Sequence, residues 1–194
     1  MSIKQRTDIL LFIRLLLIVP HLICFFVMKN RKRVEEDLSH WFQIRTYGER
    51  ECGIMYLMKS FAVNRDFRTQ YYHRIGPLKH LLCVFMKYET ANNIESLHNV
   101  EGGLVLIHSY GIAIHSDCYI GKNCFISPNV TIGYGRGGAP VIGDNVYIGA
   151  GAVLFGKLRI GNNVKIGAGA IVADDVPDNS TVVCKKAEVL QRNV

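Results

Sequence analysis

The stretch VIGDNVYIGAGAVLFGKLRIGNNVKIGAGAIV, residues 141–172, decides the fold, because a branched aliphatic residue returns at every sixth position. The same spacing extends toward the N-terminus, with one interruption. The aliphatic series comprises Ile114, Ile120, Ile126, Ile132, Ile142, Ile148, Leu154, Ile160, Ile166 and Val172. If such residues fill about a quarter of positions by chance, ten successive matches have a probability of about one in a million. The chain therefore contains a six-residue repeat.

Each repeat has further fixed positions, which a simple amphipathic pattern would not have. Four residues after the aliphatic lies a smaller apolar residue: Cys118, Cys124, Val130, Val146, Ala152, Leu158, Val164, Ala170 and Val176. The residue before it is usually Asn, Asp or Gly, the types that accept positive φ in a bend. One strand and one bend cannot bury their own aliphatic side chain, so the units must stack as a parallel β-solenoid. A helix would scatter period-six residues around its circumference.

The segments IGKNCF (120–125), VIGDNVYIGAGA (141–152) and IGNNVKIGAGAIV (160–172) resemble the hexapeptide-repeat acyltransferases. This resemblance implies a left-handed parallel β-helix with three hexads per coil. We therefore expect a mainly β fold, with an α-helical region before the solenoid. The motif is more specific for fold than for function, because some members of this class are not enzymes.

The repeat also predicts the domain boundaries. We expect a helical, basic, membrane-associated region over residues 1–88, a linker over 89–103, the β-helix over 104–181, and a C-terminal cap and tail over 182–194. Ten residues separate Ile132 from Ile142, so residues 134–140 should protrude as a loop. Leu106 and Ile114 are eight residues apart, so two additional residues should be accommodated around His108.

The net charge of +7 lies in the N-terminal half. Residues 1–88 contain 15 Lys and Arg against 7 Asp and Glu, and residues 89–194 contain 8 against 9. No nucleic-acid-binding motif accompanies this charge, so an anionic membrane surface or an anionic carrier is the expected partner.

Residues 9–28 are almost wholly apolar and precede the basic run Lys29, Arg31, Lys32 and Arg33. Arg14 and Pro20 interrupt the apolar pattern, since Arg costs about 2.5–3.5 kcal/mol deep in a bilayer and Pro kinks a helix. Three interpretations remain open: an interfacial or re-entrant membrane helix, a true span, or a helix buried in the protein's own N-terminal bundle. Both membrane interpretations keep the rest of the chain in the cytoplasm, at the cytosolic face of the inner membrane.

The six cysteines form no C-x-x-C pair and no cluster with His at metal-binding spacing. Cys118 and Cys124 occupy inward positions of consecutive hexads, where a small apolar residue is needed. We therefore expect no metal site, and free thiols suit a reducing cytosol.

Residues 107–114, IHSYGIAI, resemble the serine acetyltransferases and related sugar O-acetyltransferases at their catalytic histidine, and His108 is the matching residue. An imidazole is mostly neutral at pH 7 and can take the proton of an attacking hydroxyl. The alternative is an ordinary polar residue on a solenoid face. His115, inside a regular hexad, is interpreted as a surface or supporting residue.

The resemblance further implies a homotrimer that binds acetyl-CoA in a groove between subunits, beside the later coils. The matching positions are Gly135, Arg136, Ala150, Gly151, Ala168, Gly169, Lys185 and Lys186. Small side chains let a pantetheine arm approach the backbone, and cations suit the phosphates. Ala and Gly are also what the coil needs sterically.

Two departures from the serine acetyltransferases bear on the acceptor. That family has an Asp before the catalytic His and a His before the proline of the loop, whereas this chain has Ile107 and Ala139. Residues 67–76 resemble a helical segment that precedes the β-helix in bacterial polysaccharide acetyltransferases, and their aromatic side chains form either a packing face, which we favour, or a substrate-binding surface. Residues 182–189 resemble the ending of colanic-acid-type polysaccharide acetyltransferases. We therefore expect an acetyl-CoA-dependent O-acetyltransferase that modifies a sugar hydroxyl in bacterial surface or exopolysaccharide synthesis. The alternatives are a serine O-acetyltransferase of cysteine biosynthesis and a non-catalytic hexapeptide-repeat scaffold.

Overall fold

The structure is a computed structural model that describes residues 3–46, 53–135 and 137–185. Its helices are α1 (Ile3–Val27), α2 (Arg31–Thr46), α3 (Ile54–Val63), α4 (Arg65–Arg74) and α5 (Lys79–Leu82), with a 3-10 turn at Gly76–Leu78. Its strands are β1 (Asn93–Ile94), β2 (Val105–Leu106), β3 (Ala113–Ile114), β4 (Tyr119–Ile120), β5 (Phe125–Ile126), β6 (Thr131–Gly133), β7 (Val141–Ile142), β8 (Tyr147–Ile148), β9 (Val153–Phe155), β10 (Arg159–Ile160), β11 (Lys165–Ile166), β12 (Ile171–Val172) and β13 (Thr181–Val182). The predicted fold class, a mainly β solenoid after a helical region, is confirmed.

Three parallel sheets form the sides of the solenoid. Side 1 contains β1, β3, β6, β9 and β12, side 2 contains β4, β7 and β10, and side 3 contains β2, β5, β8, β11 and β13. The first strand, β1, lies inside the segment 89–103 that the sequence assigns to the linker.

The strand registers show where the coils depart from a regular length. Ala113 pairs with Thr131, 18 residues later, which is three hexads. Asn93 pairs with Ala113, 20 residues later, and Thr131 pairs with Val153, 22 residues later. The longer coils contain the segment around His108 and the loop at 134–140, the two irregularities that the repeat predicts.

The interior of the solenoid is the column of aliphatic side chains that defines the repeat, all at most 5% exposed. Cys118 and Cys124 belong to the same buried core. Burial raises the pKa of the Cys118 thiol to about 11 and that of Cys124 to about 12, so both remain protonated, apolar side chains at neutral pH.

One corner of the solenoid is stabilised by a ladder of asparagine side chains. Each residue of the ladder has φ between 55° and 60°, and each amide donates to the next across 3.0–3.3 Å. The ladder consists of Asn123, Asn145, Asn163 and Asn179. Asn tolerates this left-handed conformation, which explains why it recurs before the small apolar residue of the hexad.

The helices enclose a second core, built largely from aromatic residues. Its largest fully buried members are Trp41, Phe61, Phe67, Tyr71 and Tyr72. The aromatic residues of segment 67–76 therefore pack inside the helical region, and the sequence had left a substrate-binding role open as the alternative.

Between Leu16 and Val27, helix α1 packs on this core along one side. Ile18, His21, Cys24 and Phe25 are buried, and the His21 ring lies 2.6 Å from the Tyr72 hydroxyl oxygen. This agrees with the third interpretation of residues 9–28, a helix packed in the protein's own bundle; the side chain of Arg14 is outside the described part. Among residues 3–46, 53–135 and 137–185, no helix has the length and apolarity that crossing a membrane requires.

Helix α4 joins the two cores through three polar side chains spaced four residues apart, which therefore lie on one face. Asp66, Gln70 and Arg74 form this polar stripe. Gln70 donates to the carbonyl of Leu104 at 2.7 Å and accepts from the N–H of Leu106 at 3.3 Å. Since β2 is the edge strand of side 3, the stripe satisfies an edge that would otherwise be open.

Arg74, at the C-terminal end of the polar stripe, is buried. Its guanidinium donates to both carboxylate oxygens of Asp37, at 2.9 and 3.0 Å, and to three carbonyl groups between residues 97 and 101. The side chains of the pair are 0% and 2% exposed. Asp37 also accepts from the N–H of Leu104 at 2.8 Å. All three segments, α2, α4 and the first coil, therefore meet at one ion pair.

We expect Arg74→Met to destabilise the protein by about 3–5 kcal/mol, because it leaves the Asp37 charge buried without its partner. Urea unfolding followed by circular dichroism measures this loss. The matched control is Glu35→Gln, which breaks an exposed pair with Arg31 and should cost less than about 0.5 kcal/mol. Equal effects of the two substitutions would show that the buried pair does not join the two regions.

Candidate active site

His108 lies in the turn between β2 and β3, at the corner where side 3 meets side 1. Its φ is 45°, in the left-handed region that non-glycine residues rarely adopt. The N–H of Tyr110 donates to the His108 carbonyl at 2.7 Å, which closes a tight turn. The histidine side chain is exposed. The two additional residues of this coil thus turn the imidazole away from the stacked core.

Side chains outside the repeat hold this turn on two sides. The carboxylate of Asp66 accepts from the N–H of His108 at 3.1 Å, and from the N–H and hydroxyl of Ser109 at 2.8 and 2.9 Å. Asn92 donates to the carbonyl of Ser109 at 2.7 Å and accepts from the N–H of Ile112 at 2.9 Å. Ser109 is buried. The backbone of the turn is fixed, while the imidazole faces outward.

The turns that follow at the same corner stack beneath the His108 turn. The N–H of Asn129 donates to the Tyr110 carbonyl at 3.0 Å, Gly151 to Pro128 at 3.0 Å, and Gly169 to Ala150 at 2.8 Å. We call the turns at 108–111, 127–129, 149–151 and 167–169 the corner column. Three interstrand spacings of about 4.8 Å make the column about 14 Å long.

The lower part of the corner column is open. A Cβ atom added at Gly151 or Gly169 would meet nothing within 4 Å, and both glycines have a φ of 69°. Ala150 and Ala168 are exposed beside them. A Cβ at Gly149, by contrast, would lie 2.6 Å from the Ala168 nitrogen, so that glycine is required for coil stacking. The small residues at 150–151 and 168–169 therefore leave an accessible strip of backbone below His108.

The remaining predicted donor-binding residues lie elsewhere. Gly135 belongs to the loop between β6 and β7, at the corner of sides 1 and 2, where it exchanges two backbone hydrogen bonds with Gly138 at 2.9 and 3.1 Å. Within one chain the structure does not bring Gly135 to the corner column. Lys185 is exposed after β13, and Arg136 and Lys186 lie outside the described residues.

His115 lies near the protruding loop. Its ring centroid is 5.3 Å from that of Tyr134, and its Nε2 is 3.9 Å from a carboxylate oxygen of Glu95. In the described ranges, no group of three or more His, Cys, Asp or Glu side chains is placed to hold a metal ion.

Asp66 and Asn92 are the two residues of this site that sequence reasoning missed. Asp66 is 42 residues from His108 and precedes the aromatic segment 67–76, which the sequence favours as a packing face. The sequence marks Asn92 only as one of two consecutive asparagines at the entry to the solenoid. A single sequence carries no sign that either side chain reaches the turn at 108–112.

The comparisons with known proteins identify the class first. Residues 139–174 match the family described as bacterial transferase hexapeptide (six repeats). Serine acetyltransferases are among the similar curated proteins. The Staphylococcus xylosus protein is 38% identical over 169 residues, 81% of this chain and 76% of that protein. The Synechococcus elongatus protein is 34% identical over 140 residues, 70% of this chain and 57% of that protein.

Similar solved structures are also serine acetyltransferases. The serine acetyltransferase of Neisseria gonorrhoeae in complex with serine has a TM-score of 0.59 and 32% identity, covering 81% of this chain and 68% of that one. The soybean enzyme in complex with serine has a TM-score of 0.57 and 29% identity, covering 82% and 69%. The solenoid makes up less than half of this chain, so these matches include helical residues. The chain belongs to the serine acetyltransferase family. The match spans 30% of a probable serine acetyltransferase of rice (Oryza sativa subsp. japonica) and 57% of the Synechococcus protein.

The expected sugar acceptor of surface-polysaccharide synthesis is therefore wrong. It depended on Ile107 and Ala139, which replace the Asp and His of the serine acetyltransferases, and on short resemblances over residues 67–76 and 182–189. In the structure Ile107 is half-buried and Ala139 packs against the solenoid core. The absence of two polar side chains shows which contacts are missing, and it does not identify another acceptor. The family relationship, which includes the helical region, outweighs it.

Proposed function

We propose that this protein transfers the acetyl group of acetyl-CoA to the hydroxyl of serine, with His108 as the general base. The observation that carries the proposal is the exposed imidazole of His108 at the first turn of the corner column. Hydrogen bonds to Asp66 fix the backbone of that turn, and the column is open below it. Membership of the serine acetyltransferase family, with two solved relatives in complex with serine, supports the acceptor.

The chemistry needs one proton acceptor in contact with the serine hydroxyl. His108 takes the hydroxyl proton as the oxygen bonds to the thioester carbonyl carbon. The carbon–sulfur bond then breaks, and the protonated His108 returns the proton to the departing sulfur. No residue of the protein is acetylated in this direct transfer, so one base suffices for both proton movements.

The corner column suits the proposed acetyl donor. Acetyl-CoA presents a long, narrow pantetheine arm, and the strip at residues 150–151 and 168–169 exposes backbone along one line with His108. Backbone N–H and carbonyl groups on such a strip can pair with the amides of that arm. Lys185 is an exposed cation beyond the last strand and suits a phosphate.

We further propose that the active unit is a homotrimer, as the hexapeptide-repeat class implies. The loop at 134–140 and the corner column lie at different corners of one solenoid, so they can share a substrate only across a subunit interface. An interface of this kind also supports a role for Gly135 in donor binding.

Two positions at which this chain departs from the family predict weak binding of serine. An α-amino group needs an anionic partner and an α-carboxylate needs a cationic one. Ile107 and Ala139 provide neither at the positions where the family has charged or polar groups. We expect a KM for serine at or above about 1 mM, the upper end of the usual range.

We predict that the purified protein releases thiol from acetyl-CoA when serine is present, and that His108→Ala lowers this turnover by about 100- to 10,000-fold, because the variant lacks the base. Thiol release measured with a chromogenic disulfide gives both rates. His98→Ala, which removes an exposed histidine outside the turn, is the matched control and should keep wild-type turnover.

Acetyl-CoA binding by calorimetry completes this test. His108→Ala should bind acetyl-CoA as the wild type does, because the strip at residues 150–151 and 168–169 is unchanged. Turnover that survives in His108→Ala would disprove the mechanism. Acetyl-CoA binding without turnover on serine would disprove the acceptor, and absence of both would favour the scaffold alternative.

We also propose that the outer face of α1 lies on an anionic membrane surface. Ile13, Leu16, Val19, Ile23 and Phe26 recur at helical spacing on this face and are 45–60% exposed. The core holds the opposite side of the helix, so the bundle does not need this apolar surface.

The charge beside this face favours lipid over a second copy of the chain. Lys29, Arg31 and Lys32 are exposed directly after α1, and Arg31 lies 4.8 Å above the Phe26 ring. Two such basic regions would repel one another, whereas an anionic headgroup layer attracts each of them by about 1 kcal/mol per cation. An apolar helix face next to cations is typical of interfacial binding.

We predict that the protein sediments with vesicles containing 30 mol % phosphatidylglycerol and that Ile23→Asp weakens this binding at least about tenfold, since the helix face loses apolar contact and gains a repelled charge. Ile171→Asp, an equivalent change on side 1 of the solenoid, should bind as the wild type does. Failure to sediment with the vesicles would contradict the proposal. So would light scattering that shows self-association of the wild type and its loss in Ile23→Asp.

A further inference from the structure

Helix α4 determines where the Asp66 carboxylate lies. Asn64 caps the helix by accepting from the N–H of Phe67 at 3.1 Å, and Asp66 occupies the first turn. Further along the same face, Gln70 and Arg74 anchor the helix to the first coil. Asp66 is thus presented to the His108 turn by a helix that is fixed at its other end, and its position does not depend on the turn itself.

The Asp66 carboxylate accepts three hydrogen bonds, two from consecutive backbone N–H groups and one from the Ser109 hydroxyl. Hydrogen bonds to a carboxylate are shorter and stronger than those between neutral groups. Two successive N–H groups that converge on one anion require a particular backbone conformation of the turn. At His108 that conformation has a φ of 45°, which is unfavourable for a residue with a Cβ.

The other contacts of the turn do not replace those of Asp66. Asn92 binds the carbonyl of Ser109 and the N–H of Ile112, which are on the far side of the turn. For the N–H groups of His108 and Ser109, Asp66 is the acceptor. Without Asp66, the N–H groups of His108 and Ser109 would lose their acceptor. No hydrogen bonds from these groups would then offset the cost of the left-handed conformation at His108.

We propose that Asp66 is a positioning residue for catalysis, which holds His108 in its left-handed conformation and so aims the imidazole at the reacting hydroxyl. This inference rests on the proposed role of His108 as the base. Through Asp66 the N-terminal helical region controls the geometry of the site. Small displacements of a catalytic group lower turnover strongly, whereas donor binding lower in the corner column does not depend on the turn.

The kinetic test compares Asp66→Ala with Arg65→Ala. Both substitutions remove one charged side chain from the first turn of α4, but the Arg65 guanidinium is 59% exposed and pairs with Glu89 at 3.2 Å, away from the His108 turn. We expect Asp66→Ala to lower kcat about 10- to 100-fold with KM for acetyl-CoA changed less than about threefold. Arg65→Ala should keep kcat within about threefold, because it removes no hydrogen bond of the turn. Asp66→Asn, which retains one acceptor oxygen, should fall between wild type and Asp66→Ala.

A structural readout separates this inference from the proposed function. Crystal structures of the wild type and of Asp66→Ala, or of Asp66→Asn if the first variant does not fold, give the φ of His108. We expect a positive φ in the wild type and a negative φ in the variant. A His108 φ that stays positive, or equal kcat for Asp66→Ala and Arg65→Ala, would overturn the inference. Activity that survives in His108→Ala would instead overturn the proposed function.

Discussion

The hydrogen bonds between the polar stripe of α4 and the first coil are the constraint on which the rest of the structure depends. A solenoid stacks its coils through strand pairing, so its first coil has an unpaired edge. Here that edge is satisfied by Gln70, Arg74 and Asp37 from the helices. Because the buried guanidinium and carboxylate neutralise each other and fill their remaining sites with backbone partners, the helical region and the solenoid form one continuous structure.

The same helix connects packing to function. Asp66 begins the stripe, and it meets the chain at the place where the first coil is longer than a regular one. The two additional residues free the turn from the stacking pattern, and the carboxylate then fixes it in one conformation. A regular coil would place an ordinary bend there. The site thus arises where the repeat is broken and where a helix outside the repeat supplies the missing contacts.

Much of the solenoid could be predicted from the sequence, because its physical basis is local and repeated. The period of six predicts the buried column, the small inward residues such as Cys118, and both irregular coils. The imidazole of His108 was found through the same register and a family resemblance, and its catalytic role stays a prediction. The contacts that hold it were not found, since Asp66 lies 42 residues away in a segment without a repeat. The predicted acceptor, a sugar hydroxyl, was wrong, because the apolar residues Ile107 and Ala139 show only which contacts are absent.

Helix α1 illustrates a different limit of sequence reasoning. An almost uniformly apolar segment does not show which side faces protein, and the structure divides it into a buried side around Ile18 and an exposed side around Ile23. The polar stripe is tested most directly by amide hydrogen exchange at Leu104, Leu106, His108 and Ser109, whose N–H groups donate to side chains of the helical region. We expect these amides to exchange at least about 100-fold more slowly than in an unstructured peptide and to be released together. Exchange at the rate of an unstructured peptide would contradict the account.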